Sequence, residues 1–82
     1  MEREEEQRWI DAMSATLRAE RGIAGYGQAE LARRTGIART SLRLYEEGRR
    51  QPDVIQLAMI ADALHVTVGH LVGEAERRAR GV

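Results

Sequence analysis

Between residues 33 and 50 the chain carries six arginines (Arg33, Arg34, Arg39, Arg43, Arg49 and Arg50) against two acids, a local charge of +4. A guanidinium is a planar fork of donors, suited to phosphate oxygens, to carboxylates, and to the O6 and N7 edge of guanine. The other reactive side chains offer less. Cys is absent, which excludes disulfides, zinc–cysteine sites, thiolate catalysis and iron–sulfur clusters. His65 and His70, the two histidines, stand five residues apart across an expected helix boundary, and Asp62 and Glu74 complete no familiar ligand pattern with them. No metal and no cofactor are therefore expected. Neither a Ser-His-Asp order, nor a nucleotide loop, nor a face of clustered carboxylates emerges, so the chain does not read as an enzyme.

The whole-chain totals hide this segment. Thirteen Arg and thirteen acidic residues cancel within 82 residues, and there is no Lys. Residues 1–32 hold seven acids and four Arg, a net of −3, and residues 51–82 hold four acids and three Arg, a net of −1. A GC-rich genome and selection for guanidinium chemistry explain the missing Lys equally well. A chain of this length buries only about 60% of the surface its unfolded form exposes, enough for one core and no deep cleft. The start, Met1-Glu-Arg-Glu-Glu-Glu6, is the opposite of a basic and then apolar leader. The longest apolar run, Leu57 to Ala61, is five residues, against roughly twenty needed to span a bilayer. A soluble, cytoplasmic protein with no membrane contact is expected. Without Phe, and with only Trp9, Tyr26 and Tyr45 as aromatics, the core must come from Leu, Ile, Val, Met and Ala.

The elements that position the arginines read as helices, because a period near 3.6 residues runs through most of the chain with no competing strand alternation. Trp9, Ile10, Met13 and Leu17 share a stripe continued by Arg21 and Ala24, on a first helix stopped at Gly25 and started by acids that suit its dipole. A second helix is expected from Gly27, with Glu30 placed to cap free N–H groups and Leu31 and Ala32 inside, ending at Thr35-Gly36. A third starts near Ala38 or Arg39, buries Leu42 and Tyr45, and stops at Gly48. After Pro52, Asp53 and Gln56 have the spacing of a capping box. They open a fourth helix with Val54, Leu57, Ala58, Ile60, Ala61 and Leu64 inside, ending at His65. Thr67 caps a fifth that holds Leu71 and Val72, and residues 74–80, almost without an apolar face, are expected as a frayed extension or solvated tail.

Two short helices joined through Thr35-Gly36-Ile37-Ala38 have the composition of a helix-turn-helix. Gly36 permits the tight turn, Ile37 plugs the angle between the helices, and Ala32 is small where they touch. Beyond this, the ordered set running from Gln28-Ala-Glu-Leu-Ala through Gly36, Glu46-Glu-Gly48 and Pro52-Asp53 closely resembles the Cro/C1-type (XRE) family of bacterial and phage DNA-binding domains. The likeness continues through Leu57–Val66 and back to Leu17–Arg21, covering about residues 12–73 without a gap. It implies an all-α, compact five-helix, lambda-repressor-like domain at 12–73, preceded by an acidic extension of the first helix (1–11) and followed by a charged tail (74–82). The implied place of work is the nucleoid of a bacterial or phage-infected cell.

The resemblance also implies roles. The third helix is the recognition helix for the major groove, with Arg39, Thr40 and Arg43 at base edges. Leu44, where a polar reader is common, either touches a thymine methyl or lies outside the contact. Gln28, Ser41, Arg49 and Arg50 are expected on the DNA backbone, whereas Arg33 and Arg34 read as solvated surface charges. Arg21 and Glu46 lie on inward stripes and are expected to pair as a structural, mostly buried salt bridge. Ala38 and Gly27 depart from the family pattern, each lacking a side-chain oxygen that could cap a helix or bond a phosphate. Glu47 faces the expected DNA side and repels phosphate unless Arg43 or Arg50 neutralises it. The implied partner is double-stranded operator DNA bearing an inverted repeat, bound by a homodimer that meets through Val68, Leu71 and Val72. The implied activity is repression. The competing expectation is a protein-interaction module, such as an antitoxin that neutralises a partner toxin and regulates its own operon.

Overall fold

Helix-stopping residues cut the chain into α1 (Arg3–Ala24), α2 (Gln28–Thr35), α3 (Arg39–Glu46), α4 (Val54–Ala63) and α5 (Val68–Arg80). The computed structural model describes residues 1–81, with no strand among them. Gly25 ends α1, and Gly36 ends α2 at φ 77°, a left-handed conformation that a Cβ disfavours. The expected capping box opens α4: the Gln56 amide donates to Asp53 Oδ1 at 2.8 Å, and the Asp53 amide donates to Gln56 Oε1 at 3.2 Å. Thr67 caps α5 by accepting from the His70 amide at 2.9 Å. Glu30, by contrast, does not cap α2; its carboxylate accepts from Arg33 and, at 2.7 Å, from Arg34.

One core holds Leu17, Leu31, Ile37, Leu42, Tyr45, Leu57, Ile60, Ala61, Leu64 and Leu71. Two expectations for α4 fail, since Val54 and Ala58 are exposed. Val54, Ile55, Ala58 and Met59 wrap the helix together with Leu57 and Ile60, so apolarity alone does not say which side faces inward. No single helix among the described residues is long and apolar enough to cross a membrane, and α4 and α5, apolar enough as a pair, are bent by 104° around this core.

The expected tail is the largest correction. Residues 74–80 continue α5 and dock along α1, with Ala75 fully buried and Ala79 nearly so against Ala12, flanked by Trp9 and Met13. Small side chains one turn apart let the two helices approach closely, and polar contacts complete the seam. Arg78 Nη1 donates to Thr16 Oγ1 at 3.0 Å, and His70 Nε2 lies 3.1 Å from Glu20 Oε1. Val82, the last residue of the expected tail, lies outside the described residues. The second buried stripe of α1, formed by Ala12, Thr16 and Glu20, therefore serves α5, while Leu17 serves the main core.

His65 ends α4 with φ 61°, a left-handed conformation that costs a side-chain-bearing residue about 1–2 kcal/mol. Gly there loses more entropy on folding, so His65→Gly is expected to stabilise the domain by a net of about 0.5–1 kcal/mol, read as a higher urea midpoint with unchanged slope.

Candidate nucleic-acid interface

The turn between α2 and α3 is held from inside. Thr35 Oγ1 donates to the Leu31 carbonyl at 2.8 Å and accepts from the Ile37 amide at 3.1 Å, while Ile37 is buried between the helices. The inner side of α3 is fixed by Leu42 and Tyr45, both buried, and the Tyr45 hydroxyl donates to Gln56 Oε1 at 2.6 Å. That bond ties α3 to the capping box of α4. Ala38 stands at the start of α3 without a side-chain cap. Past its end, a Cβ on Gly48 would lie 3.4 Å from Ile10 Cγ2, so the exit turn presses on α1.

Arg21 and Glu46 form the expected pair. Arg21 Nε donates to Glu46 Oε2 at 2.7 Å and Nη2 donates to Oε1 at 2.8 Å, with the Glu46 side chain only 5% exposed. Arg21 Nη1 also reaches the Tyr26 carbonyl at 2.9 Å, and Gln28 Nε2 donates to Glu46 Oε1 at 3.1 Å. Burial works to raise the Glu46 carboxyl, but the hydrogen bonds from Arg21 and Gln28 and the charges of Arg21 and Arg18 hold it below its ordinary value. The bond to Glu46 pushes the Arg21 guanidinium up, outweighing its own desolvation. The network joins α1, the start of α2 and the last turn of α3. Sequence reasoning missed Arg18, which donates to the Glu46 main-chain carbonyl. Its three-residue spacing from Arg21 on α1, which places both on neighbouring faces, was the available signal.

On the outer side, Arg39 and Thr40 are exposed in the first turn of α3, Ser41 and Leu44 are half-buried, and Arg43 is exposed one turn further on. Glu47 is neutralised by Arg43, at 3.3 Å, and by Arg49, at 3.7 Å, rather than by Arg50. Arg50 Nη1 instead donates to Ser41 Oγ at 3.3 Å. Arg39 makes no side-chain hydrogen bond or ion pair among the described residues. Arg33 and Arg34 are held by Glu30 on exposed α2, and Arg34 also stacks 4.3 Å from the centre of the Tyr26 ring. Arg39, Thr40, Ser41, Arg43, Arg49 and Arg50 thus share α3 and its exit, with Gln28 at the neighbouring start of α2.

The expected dimer trio does not stand together at the surface. Leu71 is fully buried in the core and Val68 is half-buried against it, leaving Val72, 40% exposed, as the outward member. Leu71 lies one turn from Ala75 on the side of α5 that the fold consumes. Among the described residues, no three His, Asp or Glu side chains gather where a metal ion could be held.

A short helix, a glycine turn and a second helix with a locked inner side and an arginine-bearing outer side define a helix-turn-helix DNA-binding domain. A helix-turn-helix family model matches residues 17–71, from the middle of α1 into α5. The chain belongs to this Cro/C1-type (XRE) helix-turn-helix family. Among solved structures, the clp gene regulator ClgR from C. glutamicum is similar, with a TM-score of 0.79 and 28% identity over 85% of this chain and 90% of that one. No curated protein sequence matches the chain. Fold, family and structural neighbour together support DNA-binding transcription regulation.

Proposed function

We propose that the chain is the DNA-reading unit of a repressor that occupies its operator as a homodimer, with α3 in the major groove. The observation that carries this reading is the two-sidedness of α3: Leu42, Tyr45 and Glu46 are buried on one side, while Arg39, Thr40 and Arg43 stand exposed on the other. In this docking Arg39 and Arg43 bond guanine edges, Thr40 offers its hydroxyl or methyl, and Leu44 meets a thymine methyl. Arg49 and Arg50 contact phosphates. Ser41 Oγ, which accepts from Arg50, keeps its own O–H to donate to a phosphate. One Gln28 amide hydrogen is engaged by Glu46, and the other is available to the backbone. An eight-residue recognition helix reaches few base pairs, so two copies on an inverted repeat, with half-sites roughly 10 bp apart, form the economical arrangement. Repression follows sterically where that operator overlaps a promoter.

Base and backbone roles separate by substitution. Arg43→Ala is expected to relax discrimination at one base position. Arg50→Ala is expected to weaken binding to all sequences alike and to reduce the salt slope by about 1. Binding isotherms on a selected site and its single-base variants check both. Unchanged affinity for both variants at moderate salt would contradict this docking.

A further inference from the structure

Among the described residues, Glu47 is the one carboxylate held by two arginines of the proposed DNA-contacting set. It follows the last residue of α3, 41% exposed, with Arg43 one turn back and Arg49 just beyond the Gly48 turn. Arg43 Nη1 bonds both Glu47 oxygens, at 3.4 and 3.3 Å, and Arg49 Nη1 lies 3.7 Å from Oε1. A carboxylate held this way offers the oxygens and the negative charge that a DNA phosphate would offer. We infer that Glu47 is a specificity-determining residue, an internal stand-in for phosphate that withholds Arg43 and Arg49 from non-specific DNA. The inference rests on the DNA-reading role proposed above.

The discrimination comes from unequal exchange. These bonds are long and solvent-exposed, so each is weak and reversible. On arbitrary DNA, Arg43 and Arg49 can only trade one carboxylate for a phosphate, while the displaced Glu47 is left facing the polyanion. On the cognate site, Arg43 trades the same weak bond for a bidentate guanine contact, which a phosphate cannot match. Glu47 therefore lowers binding everywhere but lowers it most where no guanine is correctly placed. Arg39, with no partner among the described residues, is free to meet either kind of site.

Glu47→Gln keeps the side-chain length and removes the charge. On random-sequence duplex, affinity is expected to rise roughly five- to thirty-fold, and the plot of log K against log salt to steepen by about 1–2 as freed arginines reach phosphates. Affinity for a selected site rises less, so the ratio of specific to non-specific binding falls. Glu76→Gln is the matched control: it breaks the Glu76–Arg80 pair, also four residues apart at 3.1 Å, on α5, with the same change in net charge. That variant should leave the ratio unchanged. The inference is overturned if Glu47→Gln leaves non-specific affinity and slope unaltered, or raises both affinities equally, or acts no differently from Glu76→Gln. If the parent chain shows no salt-dependent DNA binding, the DNA-reading role itself is what fails. Thermal melting of both variants separates these outcomes from unfolding, and Glu47→Ala, read the same way, replaces Glu47→Gln should the latter not fold.

Discussion

Arg21→Ala is expected to lower the stability of the domain by about 3–5 kcal/mol, the cost of stranding a buried charge. Its guanidinium gives both Glu46 oxygens a donor in a bidentate contact, and the Glu46 side chain is almost wholly removed from water. Without Arg21, Gln28 Nε2 remains as a neutral donor at 3.1 Å. Small domains have only about 5–15 kcal/mol in total, so much of the margin disappears and the urea midpoint falls accordingly. Replacing both partners, as Arg21→Met with Glu46→Leu, is expected to restore most of it, since two apolar groups leave no charge unpaired. The same network sets an acid sensitivity. Because the folded state holds Glu46 below its ordinary value, the carboxylate stabilises the fold at pH above the ordinary carboxylate range. That contribution is lost as the pH falls through the lower folded value. Urea melts taken at neutral pH and at successively lower pH should show the loss in the parent chain and a smaller one in the double variant.

Arg39→Ala is expected to produce the largest loss of DNA affinity among single arginine substitutions, about 1–3 kcal/mol or 5- to 150-fold on a selected site. Arg43 and Arg49 each give up or share an ion pair with Glu47 when they touch DNA, and Arg50 gives up or shares its bond to Ser41. Arg39 gives up no such bond, and as the first residue of α3 it projects from the end that recognition helices turn toward base edges. The loss should concentrate at one base position and leave the fold intact, because the side chain is exposed and contributes nothing to the core. Competition binding against single-base variants of the site measures it. A thermal melt of the variant should match the parent.

The helix-turn-helix was legible in the residues because its constraints are local. Gly36, Ile37, the Asp53–Gln56 box and the alternation of Leu42 and Tyr45 with arginines each mark a turn, a plug, a cap or a face within a few positions. The Arg21–Glu46 pair spans 25 residues and was reached through family resemblance. What escaped depends on partners far along the chain. Ala75 and Ala79 carry too little apolar surface to announce a buried face, and become one only against Ala12. The bond from Arg78 to Thr16 spans 62 residues, and the contact of His70 with Glu20 spans 50. No local pattern encodes either. α4 was misread for the opposite reason, since apolar residues all round it erased the phase. Leu71, expected with Val68 and Val72 at the dimer surface, is instead consumed by the main core, where it packs with residues of the other four elements.

The role proposed for α3 and its exit is to read duplex DNA by sequence. It is tested most directly by selecting bound sequences from random duplex DNA and titrating the winner with salt. The predicted result is enrichment of an inverted repeat containing guanines in each half-site, with affinity that falls steeply as salt rises. No enrichment, or binding that ignores salt, would contradict it.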